Sequence, residues 1–273
     1  MENAPLLTDR KALERQRERA KHDLVTFLFD VATDEIKDRL SMVNRTFTKS
    51  VMVSGFPSLW NGSFPDFVHL LDDETLMLDG SGFDLAVHTL ALHWANDPVG
   101  QMIQLRRALK KDGMFLGVLF GGQTLWELRS CLATAEAEIV GGLSPRVAPM
   151  AEIRDLGGLL QRAGFALPVA DSIPLNVTYP SFFALLRDLR GMGEGNALND
   201  RLRRPTQRGV FTRAAEIYHE NYADKDGRLS ATFELIFLSG WAPDESQPKP
   251  LRPGSAVARL SDALGTQEKS LSD

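Results

Sequence analysis

The chain has 273 residues, of which 43% are hydrophobic and 25% charged, as in ordinary soluble globular proteins. Its 31 basic and 36 acidic side chains leave a net charge of −5, which argues against a general nucleic-acid binder. A single cysteine, Cys131, excludes an internal disulfide, and five scattered histidines make no zinc cluster. No apolar run reaches the ~20 residues that span a bilayer, and the polar N-terminus is unlike a signal peptide. We therefore expect a cytoplasmic protein with no metal and no transmembrane segment.

The N-terminal residues are predicted to be helical. Residues 9–22 are charged and nearly free of large apolar side chains, which is typical of a solvated helix or a frayed arm. Apolar residues then recur at helical spacing. They are Leu24, Phe27, Leu28, Val31, Ile36, Leu40 and Val43. This second stretch needs a surface on which to pack its apolar face.

Strands and helices alternate through the middle of the chain. Short apolar runs predict strands, and these runs are Ser50–Gly55, Val68–Leu71, Leu76–Leu78, Phe83–Leu92 and Met114–Phe120. A helix is predicted over 98–111, stopped by Asp112-Gly113. Thr124 and Glu127 fit a capping box that opens another helix. A further helix near 151–163 ends at Gly164.

The last part of the chain adds strands at 165–179 and at 233–238, with two amphipathic helices between them. The helices are marked by Phe182, Leu185, Leu186 and Leu189, and by Phe211, Ala214, Tyr218 and Tyr222. The alternation indicates an α/β domain with a mostly parallel sheet. The proline-rich segment 239–256 is expected to be extended.

This organisation predicts three regions. Residues 1–45 form an N-terminal helical region. Residues 46–240 form the α/β domain, in which 180–225 is a helical cap insertion before the last strand. Residues 241–273 form an extended C-terminal strap and tail.

A long central segment has a family resemblance. FDLAVHTLALHWANDPVGQMIQLRRALKKDGMFLGVLFGGQTLWELR resembles the second half of a class I methyltransferase domain dependent on S-adenosylmethionine (SAM). The segments SPRVAPMAEIRDLGGLLQRAGF, DLRGMGEGN and SQPKPLRPGSA narrow the match. They are similar to the family of the methyltransferase-fold complex I assembly factor, a mitochondrial protein described as an arginine hydroxylase. The resemblance covers about residues 80–260 and implies a Rossmann-like, mostly parallel sheet.

The first half departs from that family. Class I methyltransferases place a glycine-rich turn after the first strand, where the backbone approaches the cofactor closely. Here Val51–Pro57 keeps only Gly55, and Phe56 stands where small residues are needed. Only 33 residues separate Ser50 from Phe83. One βαβ unit needs about 30, and the first three strands with two helices between them would need nearly double that length. The first half is therefore predicted to be shortened.

The acidic pair Asp72-Asp73 has two interpretations by resemblance. It matches either the acid that contacts the ribose after the second strand or the acid near adenine after the third. The second match is favoured because DDETLMLDGSGFDL resembles the family's segment before the fourth strand. The ribose acid then has no clear equivalent.

The resemblance also assigns candidate site residues. The cofactor-binding candidates are Gly55, Asp73, His93, Trp94, Gly121 and Gly122, and the substrate-binding candidates are Arg129, Arg146 and Tyr179. His93 is also the candidate acid–base group, since an unperturbed histidine titrates near 6.5. Each has a structural alternative: a strand cap, a core aromatic, an ordinary turn or a solvated arginine. The glycines of Arg190–Asn196 allow either a mobile lid or a flexible connection.

Two functions follow from this resemblance. The first is a SAM-dependent methyltransferase that acts on a protein side chain or a small acid in respiratory-complex assembly. The alternative is a scaffold that no longer binds SAM and acts by binding a protein partner, such as a respiratory-complex subunit. The missing acid of the glycine-rich turn, Phe56-Pro57 within that turn and the shortened crossover favour the scaffold, whereas the intact second half favours the enzyme. A third possibility is that the sheet binds a different ligand in a remodelled crevice.

Overall fold

The computed structural model describes residues 6–248, which contain six strands in one sheet of order β2-β1-β3-β4-β6-β5. The strands are β1 (Ser50–Ser54), β2 (Phe67–Leu71), β3 (Phe83–Thr89), β4 (Leu109–Phe120), β5 (Ala166–Tyr179) and β6 (Leu229–Trp241). Strands β1 to β4 pair in parallel, and β6 is antiparallel to both β4 and β5. The predicted Rossmann-like, mostly parallel α/β sheet is confirmed.

Helices cover both faces of the sheet. They are α1 (Arg10–Ala20), α2 (Phe27–Met42), α3 (Pro57–Trp60), α4 (Pro98–Ala108), α5 (Trp126–Val140), α6 (Ile153–Arg162), α7 (Phe182–Gly191) and α8 (Arg208–Tyr222). Successive strand residues point to opposite faces, so Met52 enters one core while Val51 and Val53 enter another. The first core packs on α2, α5, α7 and α8, and the second packs on α4 and α6. No helix among the described residues is long and apolar enough to cross a bilayer.

Helix α1 is packed rather than solvated. Asp9 caps it by accepting a hydrogen bond from the Ala12 N–H at 3.0 Å. Ala12, Leu13 and Arg17 are buried on one face. Residues 10–20 are helical, but the expectation of a solvated helix or a frayed arm over 9–22 is wrong, because one face of α1 is buried on the rest of the molecule.

The first half of the sheet is shortened, as predicted. Only the four-residue helix α3 lies between β1 and β2, and these strands are direct neighbours. The strand predicted at Leu76–Leu78 is wrong. The Leu76 N–H donates to the Gln104 side chain of α4 at 2.8 Å, so a side chain takes the place of a sheet partner.

Two predictions made from local sequence patterns are wrong. Asp112-Gly113 does not separate a helix from a strand but lies inside β4, where Asp112 has φ +57°. The capping box is also wrong, since α5 begins at Trp126 without a side-chain cap. Glu127 instead accepts hydrogen bonds from the backbone and hydroxyl of Thr232, which tie α5 to β6.

The chain divides into two compact units at Pro243. The first holds the N-terminal helices together with the sheet, and the predicted cap at 180–225 contains α7 and α8. In the second, the Ser246 hydroxyl donates to Asp244 at 2.7 Å in a turn. The predicted strap over 241–273 starts inside β6, and its part from residue 249 onward lies outside the described residues.

Candidate functional site

A cavity of about 390 Å³ lies at the carboxyl end of β4, beneath the cap helices. In open α/β sheets ligands bind at this edge. Its apolar wall comes from strand ends, the start of α5 and the cap, and includes Trp94, Phe120, Leu125, Leu128, Leu189, Phe211 and Phe233. The interior of the cavity is therefore largely apolar and aromatic.

Arginines form most of the charged rim. Arg146 is bound by Glu136 at 2.5 Å and donates to the Thr206 hydroxyl at 2.6 Å. Arg201 pairs with Asp9 at 2.9 Å. Arg190 is exposed, and its side chain makes no hydrogen bond or ion pair with any described residue. Two of the three rim cations are thus neutralised within the protein.

Glu194 is the one carboxylate among the described residues that line this cavity. The indole N–H of Trp94 donates to its Oε2 at 2.8 Å, and His93 Nε2 lies 3.2 Å from the same oxygen. No hydrogen bond from a described residue reaches Oε1. The carboxylate is therefore anchored through one oxygen, and the other remains available to a ligand.

The structure brings some of the predicted residues into this cavity. Trp94 and Arg146 line it directly. His93 lies behind Trp94 with its ring edge on Phe120, and it lines a smaller cavity of about 180 Å³. His93 Nδ1 is buried without a hydrogen-bond partner among the described residues.

Gly121 and Gly122 contact the protein's own carboxylates. A Cβ built on Gly121 would lie 2.3 Å from Oε2 of Glu234, and one built on Gly122 would lie 2.3 Å from Oε1 of Glu152. The next N–H, that of Gln123, donates to Glu234 at 3.0 Å. The turn after β4, which holds two of the cofactor-binding candidates, is thus already in contact with side chains of the protein itself.

Two predicted substrate residues lie outside the cavity lining. Arg129 reaches only the carbonyl oxygens of Thr124 and Ala148, each at 3.5 Å. Tyr179 is buried, its hydroxyl has no partner among the described residues, and burial raises its pKa far above the usual value. Their geometry is that of packed structural residues.

The side chain of Arg17 from α1 packs against the turn after β1, where the resemblance places the cofactor. A Cβ built on Gly55 would lie 2.4 Å from Cζ of Arg17 and 2.6 Å from its Nε. Arg17 Nη1 donates to Asp72 Oδ1 at 2.6 Å, and Arg10 Nη1 to Oδ2 at 3.2 Å. Burial alone would raise the pKa of Asp72, but Arg17 and Arg10 lower it to about 2. Asp72 is therefore an ionised, buried group held by α1.

The rest of that turn is filled by aromatic side chains. Phe56 is buried and packs edge-on against Phe29, with ring centroids 5.7 Å apart. Ser54 Oγ accepts hydrogen bonds from the Phe56 N–H at 3.1 Å and from the Trp60 indole at 2.9 Å. The side chain of Asp73 is exposed and makes no hydrogen bond or ion pair with a described residue. The residues present do not fit SAM.

Sequence reasoning missed three residues of these two places, namely Arg10, Arg17 and Glu194. Arg10 and Arg17 lie in a charged helix, and their buried partner Asp72 is distant in sequence. It follows Arg17 by 55 residues. Glu194 had a signal, because it is the one acid between the glycines of DLRGMGEGN. No cluster of three metal-binding side chains occurs among residues 6–248.

Curated proteins of two kinds are similar to this chain. Arginine-hydroxylase NDUFAF5, mitochondrial, of Danio rerio is 39% identical over 222 residues, covering 81% of this chain and 68% of that protein. Its counterpart in Mus musculus is 37% identical, covering 83% of this chain and 68% of that protein. Malonyl-[acyl-carrier protein] O-methyltransferase of Xylella fastidiosa is 34% identical, covering 69% of this chain and 61% of that protein. No protein-family model matches the chain.

Solved structures align with most of the chain at low identity. The YcgJ protein of Bacillus subtilis aligns with a TM-score of 0.49 at 11% identity, covering 78% of this chain and 99% of that one. Phosphoethanolamine N-methyltransferase 2 of Haemonchus contortus, in complex with SAM, gives a TM-score of 0.42 at 10% identity, covering 77% of this chain and 53% of that one. At these values neither structure identifies a function for the chain.

Proposed function

This chain belongs to the family of arginine-hydroxylase NDUFAF5, and from that membership we propose that its cavity binds an arginine side chain of a partner protein. The zebrafish and mouse relatives are named arginine hydroxylases, so their name supplies the side chain. The resemblance to the complex I assembly factor supplies the setting, which is the assembly of a respiratory complex. The cytoplasmic location expected from the sequence stays a prediction.

The observation that carries this proposal is the half-free carboxylate of Glu194 in an aromatic cavity. A guanidinium donates several N–H groups and forms its strongest hydrogen bonds with carboxylates. It also stacks on aromatic rings, and Trp94, Phe120 and Phe211 line this cavity. The volume of about 390 Å³ lies in the range of about 300–1,000 Å³ typical of ligand pockets.

The rim charges are compatible with a cationic ligand. Arg146 and Arg201 have acidic partners, so their charge is offset locally. Arg190 is exposed, and solvent screens its charge. Glu194 is therefore the acidic group that a cationic ligand would meet in the wall of this cavity.

The proposal does not include methyl transfer from SAM. The intact β3–β4 half of the sheet favours that reaction, but Arg17 and Phe56 fill the turn on which the cofactor would depend. The function best supported is therefore recognition of a protein side chain by a methyltransferase-fold protein.

The test is a binding measurement with matched peptides. Short fluorescent peptides of neutral sequence would carry either arginine or citrulline, which has nearly the same shape without the charge, at the central position. Fluorescence anisotropy should show the arginine peptide binding at least tenfold more tightly, because a hydrogen bond to a charged group contributes about 1.5–3 kcal/mol.

Two variants show whether Glu194 is responsible. Glu194→Gln should weaken binding of the arginine peptide by at least tenfold, because its neutral amide keeps the shape but loses the charge. Glu220→Gln removes an exposed carboxylate of α8 and should leave binding unchanged. Equal affinity of Glu194→Gln and the unaltered protein for the arginine peptide would reject the proposal.

A further inference from the structure

Helix α1 presents two arginines to the crevice at the ends of β1 and β2. Arg10 and Arg17 are seven residues apart, so they lie on one helix face two turns from each other. Both reach Asp72, the residue directly after β2. The side chain of Arg17 is 9% exposed and that of Asp72 is 2% exposed. This cluster is built into the interior and is not a surface ion pair.

We propose that α1 has replaced the cofactor in this crevice, with the Arg17 guanidinium in the place of a nucleotide ligand, so that the protein works without SAM. This inference concerns the Arg17–Asp72 cluster, whose two residues do not line the Glu194 cavity, and it does not depend on the arginine-binding function.

The position of Asp72 supports the replacement. In the doubly wound strand order 3-2-1-4-5, the neighbour of the first strand is the second. Strand β2 is the neighbour of β1, so Asp72 follows the strand in the second-strand position. The acid in that position would contact the ribose, although sequence similarity favours the match to the third strand. The carboxylate has stayed at the crevice, and an arginine has become its partner.

The hydrogen-bonding groups of Asp72 are already in use. Arg17 takes Oδ1 and Arg10 takes Oδ2. The backbone carbonyl of Asp72 accepts from Arg10 at 2.7 Å and from the Gln101 side chain at 3.2 Å. Ribose hydroxyls would have to displace an ion pair to bind here.

Two glycines make room for the arginine, one at its guanidinium and one at its Cγ. Gly55 approaches the guanidinium as described above. Gly193, in the cap, has φ +78°, and a Cβ built on it would lie 3.2 Å from Cγ of Arg17 and 2.8 Å from Cζ of Phe56. The glycine that the family uses for cofactor approach thus serves here for close contact with a side chain.

The first test uses the unaltered protein. S-adenosylhomocysteine titrated at up to millimolar concentration should give no binding heat and no change in melting temperature. Binding with a micromolar dissociation constant, and a matching rise in melting temperature, would overturn the proposal. The arginine peptide serves as a separate ligand in the same preparation, so a failure of one inference is distinguishable from a failure of the other.

The second test is chemical rescue. Arg17→Ala should melt at a lower temperature, and millimolar methylguanidinium should restore part of the loss, because the small cation fits the vacated place beside Asp72. Arg15→Ala, an exposed arginine of the same helix, should show neither effect. If methylguanidinium stabilises Arg17→Ala no more than Arg15→Ala, Arg17 does not fill a ligand-like place. The titration of the unaltered protein decides the question even where Arg17→Ala does not fold.

Discussion

Substitution of the two adjacent acids at the end of β2 should have very different effects on stability. Asp72 is buried and paired with two arginines, whereas Asp73 is exposed. Asp72→Asn removes the charge but keeps the size of the side chain, and it leaves Arg17 buried beside a neutral amide. Breaking one side of a buried ion pair costs about 3–5 kcal/mol. Asp73→Asn should change the free energy of unfolding by less than about 0.5 kcal/mol.

The pKa of Asp72 gives an independent magnitude. A fall from 3.8 to about 2 corresponds to roughly 2–3 kcal/mol of stabilisation at neutral pH. Because the folded-state pKa is depressed, this stabilisation is fully present above pH 3.8 and is lost as the pH falls through about 2. The difference in stability between the unaltered protein and Asp72→Asn should therefore shrink in that interval.

Urea unfolding followed by circular dichroism measures these differences. At neutral pH, Asp72→Asn should unfold at a lower urea concentration than both the unaltered protein and Asp73→Asn. As the pH is lowered, the unfolding curves of the unaltered protein and Asp72→Asn should approach each other. Equal destabilisation by the two asparagine variants at neutral pH would refute the assignment of a buried ion pair to Asp72.

Two further substitutions or labels test the packing. Gly193→Ala should destabilise the protein by about 2 kcal/mol, since its φ is +78° and the new Cβ would meet Phe56. Gly157→Ala, in α6 with open space around it, should stabilise the protein by up to about 1 kcal/mol. Urea unfolding that gives both variants a change of the same sign in the free energy of unfolding would contradict the two backbone assignments. Burial raises the pKa of Cys131 to about 11, so its thiol should resist alkylation at pH 8 until urea unfolds the chain, and rapid labelling of the folded protein would show that this site is open.

Local patterns predicted the elements whose determinants lie close together in sequence. The start of α4 is an example, because Asp97 caps it by accepting from the Gly100 N–H at 2.8 Å, only three residues away. The apolar run of β4 is another, since a continuous hydrophobic stretch is typical of a strand buried on both faces. Both follow from short-range chemistry.

The failures share a cause in long-range contacts. Thr124 and Glu127 satisfy the local rule for a capping box, but Glu127 binds Thr232, 105 residues later. Glu194 is held by Trp94, 100 residues earlier, so its role depends on how the cap folds over the sheet. Sequence similarity favours matching the Asp72-Asp73 pair to the acid after the third strand, whereas the strand order, in which the pair follows the neighbour of β1, is a property of the fold.

The position of β6 has a consequence for the order in which the molecule forms. This strand is the last one described, yet it lies inside the sheet, between β4 and β5. Among the described strands β5 pairs with β6 alone, so during synthesis β5 has no sheet partner until residues 229–241 have emerged. Pairing across such a sequence separation is slow. Because Phe233 of β6 also lines the cavity, the cavity wall is incomplete until residues 229–241 have been synthesised and β6 has entered the sheet.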